Sequence, residues 1–277
     1  MLVHRFSESD IKLHLPGNLS IHTWLFPGQW MSDEQLSALK SRIENFTRKR
    51  IGTLPQYGIY LTGRKAWENR IITVVNDNSS GTVKGFSAMA YCPVKINNRT
   101  YPIIHLGLVM LERHHALRNL LFSIYYLPLL FFSLLREFKP FWISSVSMEP
   151  PIIGLVADCF DNVYPHYSGK SMADQKKIEI TQSFFANYRD EFGTGPDAVF
   201  NQNNFVIEAS CRGPSEILRV DFDRAARYIA RNCNEFCIKT LNYERGDELL
   251  QIGMASPISI FRAPINLLKI RRAWHKK

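Results

Sequence analysis

His105, Gly107 and Val109 alternate along an apolar run, and alternate residues of an extended backbone share a face. An imidazole placed there can exchange a proton near neutral pH, the work asked of a general base. A few residues on, Glu112, Arg113, His114, His115 and Arg118 crowd the passage from that run into a helical stretch. A strand–loop–helix junction of this kind aims unpaired backbone N–H groups and the positive end of a helix at an anion, and the basic side chains add donors. The chemistry it suits is the grip of a phosphate or pyrophosphate, with acid–base work nearby on the strand. His105 also has a plain structural reading, a half-buried histidine satisfied by its neighbours. Glu112 reads as a solvent-facing loop acid.

The elements that must position these residues alternate along the chain. Residues 21–26 read as a strand, and Ser32 as the N-cap of a helix with Asp33 and Glu34 in its first turn, reaching about Thr47. Residues 70–75, 82–94 and 101–110 read as a three-stranded meander, turned at 76–81 and at Asn97, Asn98 and Arg99. A long helix is expected from Ala116, a strand over 140–146, and a short helix over 150–160 with Pro150 and Pro151 in its first turn. Further on, helices are expected over 172–190 and 221–240 and a strand over 204–209. The order predicts an α/β protein with a mixed sheet flanked by helices, not a doubly wound one. Residues 1–169 form its core; 170–277 form an extension that completes the sheet and ends in a basic amphipathic tail.

The chain has 277 residues, 45% of them apolar, which excludes wholesale disorder. Its formal charge of +9 points to phosphate-bearing or anionic partners: coenzyme phosphates, an acidic carrier protein or a membrane face. Nucleic acid is set aside, because the Arg48, Lys49, Arg50 run lacks the interleaved aromatics of a reader motif. Five cysteines, an odd number with no Cys/His set around them, read as structural thiols of a reducing, cytoplasmic compartment, and no metal is expected. The N-terminus has no apolar run before its acids, so a secretory signal is not expected. Residues 119–135 carry no charge, but 17 residues around Pro128 fall short of the roughly 20 needed to span a bilayer. A buried or groove-lining helix is expected there. Residues 260–277 hold Arg262, Lys269, Arg271, Arg272, Lys276 and Lys277 and no acid. A solvated tail and a docked or membrane-surface helix both fit that pattern, the latter implying peripheral membrane contact.

The segment 103–121 resembles the GCN5-related N-acetyltransferase (GNAT) superfamily, whose central strand ends in a valine and passes through Arg/Gln-x-x-Gly-x-Gly/Ala into the coenzyme A-binding helix. Val109 matches the strand end, Arg113 the first motif position, Ala116 the first glycine, Arg118 the second and Leu121 the apolar helix position. The preceding meander and the later segments at 142–147 and 150–160 agree with the family's order, so the resemblance covers roughly residues 20–167. It implies a GNAT-like, mostly antiparallel twisted sheet and transfer of an acyl group from a coenzyme A or phosphopantetheine-linked thioester to a small-molecule or peptide amine. By the same resemblance His105 would be the base. The N–H of Val109 or Met110 would polarise the thioester carbonyl. Arg113, His115, Ala116 and Arg118 would hold the pyrophosphate or pantetheine arm. With both glycines replaced, either Arg118 reaches around a phosphate or the site has changed or lost its donor. The family's thiolate-protonating tyrosine has no counterpart at Cys159 or Phe160, which leaves Tyr164 as the nearest phenol. The greasy helix with Phe122, Tyr125, Tyr126, Phe131 and Phe132 further resembles the long-chain N-acyl amino acid synthases, which take fatty acyl groups from an acyl carrier protein. A non-catalytic carrier- or membrane-surface-binding protein on the same fold is the alternative.

Overall fold

The computed structural model describes residues 10–15, 17–112, 120–213 and 216–274; the side chains of 120–123 and 267–274 fall outside that description. In chain order the elements are β1 (Asp10–Leu15), β2 (Leu19–Leu25), α1 (Pro27–Trp30), α2 (Asp33–Ile51), β3 (Arg70–Asp77), β4 (Val83–Tyr91), β5 (Val94–Ile96), β6 (Arg99–Tyr101), β7 (Ile103–Leu111) and α3 (Leu120–Leu135). Then come β8 (Phe141–Ser147), α4 (Pro150–Cys159), β9 (Asp161–Tyr164), α5 (Gln175–Tyr188), β10 (Val199–Asn201), β11 (Val206–Glu208), α6 (Arg231–Thr240), β12 (Glu248–Ala255) and α7 (Pro257–Trp274). The strand order is β1-β2-β3-β4-β7-β8-β12-β11-β10, with β9 also on β12; among the described residues β7 and β8 pair parallel, while β1 with β2, β2 with β3, β3 with β4 and β8 with β12 pair antiparallel. The expected mixed, mostly antiparallel sheet flanked by helices is therefore what the chain forms.

Two compact units divide the chain: 1–91 with 106–132, and 92–105 with 133–277. In the first, β2, β3 and β4 pair antiparallel in sequence, as the β-branched run Ile71, Ile72, Thr73, Val74, Val75 favours. Helix α2 starts at a full capping box, Ser32 with Gln35, and lays Leu36, Leu39, Ile43 and Phe46 against Ile72, Val74, Phe86 and Ala88. The other face packs Ile21 and Val75 against Ile124 and Leu127 of α3, which passes through Pro128 without breaking. Strand β1 is an exposed edge hairpinned to β2, and the sequence reading missed it.

In the second unit β8 and β12 form the centre, seven register pairs from Leu249↔Ser147 to Ala255↔Phe141. The free edge of β12 is divided: β11 takes Leu249 and Glu248, and β9 takes Ile252 and Met254. Helices α4 and α6 cover one face through Met148, Ile153, Cys233, Cys237 and Leu249. Gly154 of α4 is small because Tyr228 lies on it; a Cβ there would stand 2.3 Å from the Tyr228 ring.

Several expected boundaries move. The strand expected over 82–94 stops at Tyr91, and Val94 begins a separate two-stranded hairpin with β6. The helix expected over 221–240 begins only at Arg231, after a stretch of turns and bends. All five cysteines are buried, Cys233 and Cys237 one turn apart on α6. Among the described residues no helix is long and apolar enough to cross a membrane, and no group of three His, Cys, Asp or Glu could hold a metal ion.

Candidate functional site

Strand β7 carries the sequence-predicted chemistry, and its backbone is irregular. The N–H of Cys92 donates to the carbonyl of Ile103, and the N–H of Glu112 donates to that of Lys84, both at 2.8 Å. From Cys92 back to Lys84 is eight residues; from Ile103 on to Glu112 is nine. One extra residue on β7 is a β-bulge, and Gly107, with φ +28°, sits within it. A Cβ on Gly107 would stand 1.9 Å from the Ala88 carbonyl oxygen, so no other residue fits that backbone. The Tyr125 hydroxyl of α3 donates to the Gly107 carbonyl over a long 3.4 Å.

The bulge has two effects. It reverses the alternation of side chains, so His105 and Val109 fall on opposite faces of β7, correcting the expectation that they share one. It also settles which amide leaves the ladder. Glu112 points its N–H at β4, so Met110, two residues earlier, does so too, and the N–H of Val109 points away from β4. Val109 packs its side chain with Ile124 and Leu127, while Met110 packs on the α2 side. Of the two amides read from sequence, Val109 is the one aimed off the strand edge.

His105 closes the parallel register with β8, which runs Ile103↔Trp142, Ile104↔Ile143, His105↔Ser144. Its imidazole is 3% exposed. Nδ1 lies 3.2 Å from Ser144 Oγ, and the ring packs against Phe184 and Phe192 at centroid distances of 5.9 and 5.4 Å. Ser144 was not singled out from sequence, although it lies in the segment that matched the family's fifth strand.

Tyr164 is on β9 opposite Ile252, which is opposite Ser144, which is opposite His105. The four residues make one row across three strand spacings, so His105 and Tyr164 stand about 14 Å apart at ~4.8 Å per strand. Phenylalanines floor that face: Phe192, Phe185, Phe200 and Phe205 follow ring on ring from His105 to the edge of Tyr164. The structure does not bring these two residues together. Arg113, His115, Ala116 and Arg118 lie outside the described residues, as does the expected helix start at Ala116.

A second polar cluster, unread from sequence, lies at α4. Asp158 accepts from Tyr167 at 2.8 Å and from Tyr228 at 2.6 Å, and burial pushes both phenols far up. Burial, with the Asp158 charge beside it, pushes the Cys159 thiol up to about 12, so that thiol stays protonated. The Cys233 thiol is raised by its hydrogen bond with Cys237 and by burial. These groups are inert at neutral pH and tie α4, α6 and the loop at Tyr167 together.

No family model matches the chain, and no curated protein does. Among solved structures it is similar to a ribosomal-protein-S5-alanine acetyltransferase from Vibrio fischeri, at 9% identity and TM-score 0.32, over 49% of this chain and 73% of that one. It is also similar to an aminoglycoside acetyltransferase from an uncultured soil metagenomic sample, at 16% identity and TM-score 0.29, over 43% and 73%. A third is the Saccharomyces cerevisiae N-myristoyltransferase with bound myristoyl-CoA, at 9% identity and TM-score 0.29, over 63% and 43%. The likeness is partial, and the fold rests on the chain's own strand order.

Proposed function

We propose that the chain is an N-acyltransferase that moves an acyl group from a coenzyme A or acyl-carrier-protein thioester to a small-molecule or peptide amine. The observation that carries this reading is the bulge at Gly107, which turns the N–H of Val109 off the strand edge, where it can donate to a thioester carbonyl as charge develops on the oxygen. In this reading Arg113, His115, Ala116 and Arg118 hold the phosphates or the pantetheine arm of the donor, and the amine attacks the thioester directly. His105 takes the ammonium proton through water, its ring oriented by Ser144. Tyr164, about 14 Å from His105 across three strand spacings, is given no part in this reading. The apolar α3 fits a long acyl chain as donor cargo.

One observation favours a second reading. His105 is buried under two phenylalanine rings, as a purely structural histidine would be, and the chain would then bind a carrier or a membrane surface without catalysis. The test is thiol release from acetyl- and palmitoyl-CoA in the presence of an amine pool. The acyltransferase reading expects release that His105→Ala lowers by about 10²–10⁴-fold. Release equal in the two proteins removes His105 from the chemistry, and no release from any thioester, carrier-linked ones included, removes the reading.

A further inference from the structure

Helix α7 is docked by one face only. Ser259, Ile260 and Ala263 are buried, Arg262 pairs with Asp161 at 2.7 Å, the Ser256 hydroxyl also donates to Asp161, and the Asn266 amide donates to the Asp158 carbonyl at 2.9 Å. A tail merely trailing in solvent would make none of these contacts. The opposite face carries Ile258, Phe261 and Ile265, at one helical spacing, exposed by 70%, 57% and 54%. Phe261 packs tilted against Phe138 at 5.7 Å, just past the end of α3, where Leu134 is 50% exposed. Three large apolar side chains in a row on an otherwise anchored helix are an interaction surface left uncovered.

What covers it is indicated by charge. The helix continues through Lys269, Arg271 and Arg272, Lys276 and Lys277 follow, and no acid occurs from Ile260 to Lys277. An exposed apolar stripe on an anchored helix, whose sequence runs on into cations with no acid among them, matches an anionic lipid surface, where apolar side chains enter the acyl boundary and cationic sequence favours the headgroups. We infer that α7 docks the protein on anionic membranes, in the interfacial plane and without spanning. This holds whether or not the chain is an enzyme.

The test is flotation of the full-length protein with vesicles of phosphatidylcholine alone or mixed with phosphatidylglycerol. Two variants accompany it: Phe261→Ser with Ile265→Ser, and Arg271→Gln with Arg272→Gln. The protein is expected to float with the anionic vesicles, to prefer them to neutral ones, and to be released by salt. Losing two cations at about 1 kcal/mol each is expected to weaken partition roughly thirtyfold. Losing the two exposed apolar side chains is expected to weaken it at least tenfold by order of magnitude. Circular dichroism and thermal melting of both variants check that any loss of flotation comes from folded protein. Flotation of either variant equal to wild type, no preference for anionic vesicles, or retention on an acidic carrier protein with none on vesicles each overturns the inference. Thiol release from a soluble short-chain donor is measured alongside, so a failed docking test and a failed acyltransferase reading give different results.

Discussion

Gly107→Ala is the substitution that most directly tests how β7 is built. The new Cβ would stand 1.9 Å from the Ala88 carbonyl oxygen and 3.0 Å from its carbon. Both are backbone atoms of a central strand, so no side chain can swing aside to make room. Overpacking of this kind costs about 1–3 kcal/mol. The positive φ of 28° adds about 1–2 kcal/mol for a residue with a Cβ. The expected loss is about 3 kcal/mol, which for a chain of this size lowers the melting temperature by on the order of 10 °C. Gly81→Ala separates the two causes, because Gly81 has φ +66° but nothing within 4 Å of the added Cβ; it should lose only the conformational part, about 1 kcal/mol. Thermal unfolding followed by circular dichroism measures both, and thiol release measures what happens to the amide of Val109. If the variant escapes the clash by removing the bulge, the Val109 N–H returns to the ladder, and the acyltransferase reading then expects thiol release to fall even in protein that is still folded. A Gly107→Ala protein that melts with Gly81→Ala would show that the bulge is not where the register shift places it.

Tyr228→Phe should cost about 2 kcal/mol, since it removes a 2.6 Å hydrogen bond to a carboxylate from a buried ring; calorimetry against the wild type checks this, and Cys233→Ser at the same cluster should also destabilise. Glu248, which accepts from the Ser210 hydroxyl at 2.6 Å, has its carboxyl pushed above the usual range by burial, and burial raises Glu149 in the same direction. A raised carboxyl binds its proton more tightly in the folded chain, so stability is greatest below the unfolded value of about 4.3 and falls as pH rises through the folded pKa. Glu248→Gln should therefore raise the melting temperature at pH 7 and flatten its decline with pH; an unchanged profile would assign the decline to other groups.

The parts legible in sequence were those with a local cause. The capping box at Ser32 and Gln35 and the β-branched run of β3 each announce themselves within a few residues, and the structure realises them. The mixed sheet followed from element order alone. Strand β12 was not seen because its residues, buried on both faces and interrupted by Gln251 and Gly253, show neither alternation nor a clean apolar run. The start of α6 was misplaced because residues 221–230 are compositionally helical, yet they form turns closed by Arg227 donating to the Phe222 carbonyl and Tyr228 bonding to Asn234. At the candidate site, His105 was read from its spacing before Val109, and Val109 from the resemblance to the family's strand end. Their relation was not, since a one-residue register shift is a property of two strands and leaves only a glycine in the sequence of one.

Strand β12 arrives late to a place in the middle. Leu249 pairs with Ser147 and Ala255 with Phe141, each across more than a hundred intervening residues, while β9 waits on the far side. Until residues 248–255 are in place, β8, buried from Phe141 to Ser145, presents an unsatisfied edge, the condition under which chains pair with one another. Assembly of the second unit thus hinges on a single insertion event near its end, and a nascent or truncated chain lacking that segment would look to quality-control machinery like an open template for aggregation.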